Sequence, residues 1–179
     1  MRNIIRHNQN PVKLLIKKIL ACDSSQVLSE ATKALKLLSS SSLAIDILMK
    51  ENSLLGIIRT KFVDSDCLSQ QNILEIVSLT CKYQKYRSEL VNHEDFIETL
   101  MSQVKSISIK ITYWTIRIFR QLAKDEASLE KLQGDKLRLS HKLIYAFKWL
   151  DCKNIPENNV SNQEELKEEA DKVMELKES

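Results

Sequence analysis

One helical pattern occurs three times in this chain, each time 42 residues further on. In LSEATKALKLL, Leu28, Ala31, Ala34, Leu35 and Leu38 fall at steps of three, three, one and three, which places them on one face of a helix. The small residues at 31 and 34 leave room for a second helix to approach. The same places are taken by Ile73, Ile76, Val77 and Thr80 in NILEIVSLT, and by Thr115, Ile118, Phe119 and Leu122 in TIRIFRQLA. The following segment keeps a similar beat, with Leu54, Phe96 and Leu137 at intervals of 42 and 41. A unit of this size cannot cover its own apolar face, so recurrence at a fixed period implies neighbours that cover one another. The expected fold is all-α, a short right-handed α-solenoid of three-helix repeats.

Composition narrows the alternatives. With 179 residues, of which 43% are hydrophobic, the chain can bury one sizeable core. Two Gly and two Pro leave little punctuation for sandwiches, barrels or phosphate loops. No apolar run reaches the ~18 residues of a membrane span, and the start MRNIIRHNQNP lacks a secretory apolar stretch. An intracellular protein, cytoplasmic or nuclear, with no membrane contact is expected. Cys22, Cys67, Cys81 and Cys152 lie too far apart for a zinc knuckle or redox pair, so free and largely buried thiols in a reducing compartment are expected.

In chain order, residues 1–11 read as a flexible arm, and Pro11 opens a helix through VKLLIKKILA that serves as the last helix of an incomplete leading repeat or as a cap. The repeat domain spans 12–150, in units of approximately 24–62, 65–103 and 106–150. In the first unit, helices are expected to about Leu38, near 43–50 and at 53–62. Gly56 weakens the last of these and can admit a close neighbour. The second unit is expected to contain a short helix around 65–69, a longer one over 70–82, then 84–91 and 94–103. The third begins with ISIKITYWTIRIFRQLA, which has strand-like alternation at Ile107, Ile109 and Ile111. Its length, its apolar face and its lack of turn signals predict a helix. DEASLEKLQ and LRLSHKLIYAFKWL complete it. Residues 151–179 form a polar linker and an acidic charged helix with a thin apolar line of Leu166, Val173, Met174 and Leu176.

Charge is divided unevenly. From Glu157 onward eight acidic residues face three lysines, a net −5, so of the overall +3 the first 156 residues carry +8. A basic body suits acidic peptides or nucleic acid, and is equally a solvated surface balanced by its own tail.

A period near 42, built from a short helix and two longer ones, resembles the armadillo family and, more loosely, HEAT repeats. The stretches carrying the resemblance are Ala34-Leu35-Lys36-Leu37-Leu38, Ile76-Val77-Ser78-Leu79-Thr80 and Ile118-Phe119-Arg120-Gln121-Leu122, within about residues 12–150. The resemblance implies a binding surface along successive long helices. Family members that hold extended peptides carry a ladder of Asn, with Trp four positions earlier. Here the Asn positions hold Leu37, Leu79 and Gln121, and the Trp positions hold Lys33, Glu75 and Arg117. Neither ladder is present, so these six residues are the candidate protein-binding row, with a surface of their own. Leu37 and Leu79 are open to two readings, binding anchor or additional core.

Catalytic machinery is thin. His7, His93 and His141 sit in separate segments without a metal-ligand pairing, and there is no glycine-rich phosphate loop. Cys81 with His93 has nothing to orient it as a nucleophile pair. No catalytic, cofactor or metal site is expected. The expected function is a non-enzymatic adaptor or scaffold that binds a protein or peptide. The alternatives are nucleic-acid binding through Lys105, Lys110, Arg117 and Arg120 beside Tyr113 and Trp114, and a structural oligomerisation module. The apolar helix Leu139–Leu150 suggests a weak homodimer.

Overall fold

The computed structural model describes residues 10–50, 53–104, 106 and 108–133. Residues 1–9 of the expected arm at 1–11, the helix at 139–150 with its dimer contact, and the linker and acidic helix at 151–179 all lie outside the described residues, whereas Asn10 caps and Pro11 opens the first helix.

Every regular element among the described residues is helical. The helices are α1 (Pro11–Leu20), α2 (Ser25–Leu38), α3 (Ser42–Lys50), α4 (Ser53–Ile57) with a π-helical turn (Ile58–Phe62), α5 (Cys67–Thr80), α6 (Gln84–Val91), α7 (Glu94–Gln103), α8 (Ile109–Leu122) and α9 (Glu126–Gln133). The period seen in the sequence governs their boundaries. The three long helices α2, α5 and α8 each have 14 residues. They begin at 25, 67 and 109, and α3, α6 and α9 begin at 42, 84 and 126. α1, α4 with its π turn, and α7 take the remaining place. α1 thus falls at the same place in the 42-residue register as α4 with its π turn and α7.

Caps keep the same register. Ser24, Asp66 and Ser108 precede the three long helices at 42-residue steps. Ser24 Oγ accepts from the Val27 N–H at 3.5 Å. Asp66 Oδ1 accepts from the Leu68 and Ser69 N–H groups at 2.9 and 3.0 Å. This cap corrects one expectation, because the short helix at 65–69 and the longer one from 70 are the single helix α5. Asp66 starts the helix at Cys67, and no later residue interrupts the ladder. The segment 109–122 is helical, as its length predicted. Gly56 has no close neighbour, since a Cβ there would meet open space.

The backbone divides into two compact units, Met1–Ile76 and Val77–Ser179, and α5 runs through the division. In the first unit α1 packs on α2, α3, α4 and the π turn. Its core includes Ile19, Leu35, Ile45, Leu48, Leu54 and Phe62. Asn72 of α5 donates to Thr32 Oγ1 of α2 at 3.4 Å, and Lys61 Nζ reaches the Cys22 carbonyl at 2.6 Å behind the end of α1. In the second unit α6 packs on α7, α8 and α9, and α7 packs on α8. Val77, Leu90, Ile97, Leu100, Ile116 and Phe119 are buried there. Leu35, Val77 and Phe119, which share one place in the repeat, are all fully buried.

Candidate protein-binding faces

Each long helix turns a stripe of residues into the core, and the candidate row lies off that stripe, exposed on α2 and half-buried on α5 and α8. In α2 the buried residues are Leu28, Ser29, Ala31, Thr32 and Leu35, whereas Lys33 and Leu37 are exposed one turn apart. Leu37 is 68% exposed, which settles its place as surface rather than core. Beside it Lys36 Nζ lies 3.1 Å from Glu75 Oε2, while Gln71 Nε2 donates to Glu75 Oε1 at 2.9 Å. Both oxygens of Glu75 are therefore occupied within the first unit. Glu75 acts as a support that holds Lys36 in place, and Lys33 and Leu37 are left as the presented groups.

In the second unit the row consists of Leu79, Arg117 and Gln121, all half-buried. Ser78 Oγ donates to Gln121 Oε1 at 3.4 Å, tying the end of α5 to α8. Arg117 is held by the turn before it. Its Nη1 donates to the Tyr113 hydroxyl at 2.9 Å, and its guanidinium carbon stands 5.2 Å from the Trp114 ring centre and 5.9 Å from that of Tyr113. The two rings meet edge to face at 5.3 Å. A guanidinium seated on aromatic rings loses little freedom on binding and keeps its edge N–H groups for an acceptor.

Reading the segment in isolation placed the basic residues only partly on one face. As α8, it carries Lys110, Tyr113, Trp114, Arg117, Arg120 and Gln121 within a single arc, opposite the buried Ile111, Thr112, Thr115, Ile118, Phe119 and Leu122. Lys105 lies outside the described residues. Trp114 is half-buried rather than packed away between helices. The ring bed under Arg117 was readable from spacings of three and four on one helix, once the helix was accepted. Ser78 and Lys36 carried no such local signal, because their partners are 43 and 39 residues away.

The residues weighed for chemistry are dispersed. His93 is the N-cap residue of α7, with no side-chain capping bond, ahead of the acidic turn Glu94–Asp95. His7, His141 and Cys152 lie outside the described residues. The three described cysteines are free of disulfides, but only Cys81 is buried, with Cys22 intermediate and Cys67 exposed at the first position of α5. The expectation of largely buried thiols is corrected to that extent, since Cys67 sits in the first turn of α5 beside the exposed Leu68. Burial pushes the Cys81 thiol up to about 12, against the opposing pull of the Arg87 charge. Among the described residues no three His, Cys, Asp or Glu side chains stand together as a metal site. No described helix is long and apolar enough to cross a membrane.

No family model matches the chain, and no curated protein matches it. Solved structures do match. The crystal structure of an engineered protein from the Northeast Structural Genomics Consortium aligns over 92% of this chain with a TM-score of 0.70 at 14% identity. A second engineered protein from the same consortium aligns over 94% with a TM-score of 0.61 at 15% identity. The chain spans 61% and 48% of the lengths of these two proteins. At such identities the likeness is one of fold.

Proposed function

We propose that this chain is a non-enzymatic scaffold, an armadillo-like α-solenoid whose repeat domain over 12–150 binds a protein or peptide through the open faces of its long helices. The observation that carries the reading is the alternation on those helices. Leu35, Val77 and Phe119 are sealed in the core, while Lys33, Leu37 and the Arg117 cluster stand on the opposite side. A repeated helix that spends one face on packing offers the other as an extended surface, and such surfaces recognise partners rather than perform chemistry. An arginine seated on Tyr and Trp combines the residue types that most often anchor interfaces.

The test is capture of partners on the immobilised chain, followed by hydrogen–deuterium exchange of the purified complex. Protection is expected on α2 around Lys33–Leu37 or on α8 around Tyr113–Gln121. Protection confined to α4 and α7 would overturn the placement.

Nucleic-acid binding is the second reading, and the basic row of α8 is the observation that favours it. Electrophoretic mobility with duplex and single strands at ~150 mM salt decides it. Absence of a shift removes that reading.

A further inference from the structure

We propose that the open face of α8 is a docking surface for an acidic peptide segment of a partner protein, with Arg117 taking its central carboxylate. The inference rests on the scaffold reading and names the chemistry of the partner.

Charge is the first argument. Between Ile109 and Leu122 there is no Asp or Glu, although the equivalent helices carry Glu30 and Glu75 at the places of Trp114 and Arg117. Glu75 is paired with Lys36, so the comparable face in the first unit balances itself. Lys110 and Arg117 have no acidic residue within α8 itself. The carboxylate that follows, Asp125, is engaged elsewhere, accepting from Ser128 Oγ at 2.9 Å and from Gln84 Nε2 at 3.5 Å.

Spacing is the second argument. Lys110 and Arg117 stand seven residues apart on α8, about 10.5 Å along the helix, which matches about three residues of an extended peptide, and Lys124 follows in the turn just past the helix end. Geometry then separates a peptide from a nucleic-acid strand. A base needs an open ring face to stack on. Here the Trp114 ring carries the Arg117 guanidinium at 5.2 Å, and Tyr113 meets it edge-on rather than in parallel. A guanidinium held in this way presents a fork suited to carboxylate.

The test is fluorescence anisotropy on the full chain with a labelled peptide of about ten residues carrying Glu at every third position. The same peptide with Gln for Glu, and an oligo-dT strand, serve as comparison probes. Arg117→Gln is expected to weaken the acidic peptide about tenfold, and Arg117→Lys to recover only part of the loss. Because Arg117 is half-buried, the exposed pair Lys110→Gln with Lys124→Gln provides a second measurement, with about threefold weakening expected. Lys17→Gln with Lys18→Gln, exposed on α1, should change nothing. Equal binding by the Gln peptide, indifference to both the Arg117 and the Lys110/Lys124 substitutions, an equal loss from the α1 pair, or tighter binding of oligo-dT would each overturn the proposal. Exchange protection of α2 by a captured partner would leave the scaffold reading standing even then.

Discussion

Arg87 closes the end of α5, with its Nη1 3.2 Å from the carbonyl oxygen of Cys81 and 3.5 Å from that of Lys82. A helix leaves its last carbonyls without intrahelical partners, and a cation there answers both the hydrogen-bond deficit and the dipole. Arg87→Met should therefore lower stability by about 1.5–3 kcal/mol, the range for hydrogen bonds involving a charged group. Arg87→Lys should recover part of this, since the ammonium keeps the charge but sits on a side chain one bond shorter than the reach to Nη1 and lacks the planar fork. Urea unfolding followed by circular dichroism measures the difference.

The cysteines should differ sharply in reactivity. Cys81 is fully buried and its thiol is pushed up to about 12, so at pH 8 it has almost no thiolate and no access to reagent. Cys67 is exposed. Alkylation of the native chain, mapped by mass spectrometry, should label Cys67 quickly and Cys81 only after denaturation. Equal labelling would contradict the burial of α5's last turn.

Gly56 is a site for stabilisation. Its Cβ would meet nothing within 4 Å, and it lies inside α4. Gly56→Ala should raise stability by about 0.5–1 kcal/mol by reducing the freedom of the unfolded chain. A rise in the melting temperature is the expected observation.

Leu37 and Phe119 should respond oppositely to the same substitution. Leu37 is surface, and Leu37→Asp should stay within about 0.5 kcal/mol of the native stability. Phe119 is fully buried, and Phe119→Asp should abolish cooperative unfolding by placing an unpaired charge in the core. Thermal melts of the two variants are sufficient.

Acid should weaken the start of α5. Partial burial works to raise the Asp66 pKa, but hydrogen bonds from the Ser69 hydroxyl and from the Ser69 and Leu68 N–H groups outweigh it and hold the carboxyl below its ordinary 3.8. A carboxyl lowered on folding adds stability above its unfolded-state value and loses that contribution as pH falls through the folded-state value. Asp66→Asn keeps a capping oxygen and should flatten the acid limb below about pH 4. Asp66→Ala removes the cap as well, at about 1 kcal/mol. Stability measured from pH 2 to 7 distinguishes the three proteins.

Helix positions were legible in the sequence because helix formation is local. Apolar spacing and the caps at 24 and 66 act within a turn or two of chain, and among the described residues they place α2 and α8, while α5 begins earlier than expected, at Cys67. The burial of Leu35, Val77 and Phe119 followed from the same periodicity. The expected division into helices at 65–69 and 70–82 does not hold, because the cap at Asp66 begins one helix that runs unbroken to Thr80.

The open faces were decided by tertiary structure. Whether Leu37 was core or surface, whether Glu75 was presented or held by Lys36, and whether Gln121 had a partner depended on side chains about 40 residues away. Periodicity states which side of a helix seeks cover, because apolar area leaves water wherever a neighbour can be found. It does not state which polar groups on the other side will meet. Those pairings require distances and angles good to a fraction of an ångström, and packing sets them only once the helices are in place.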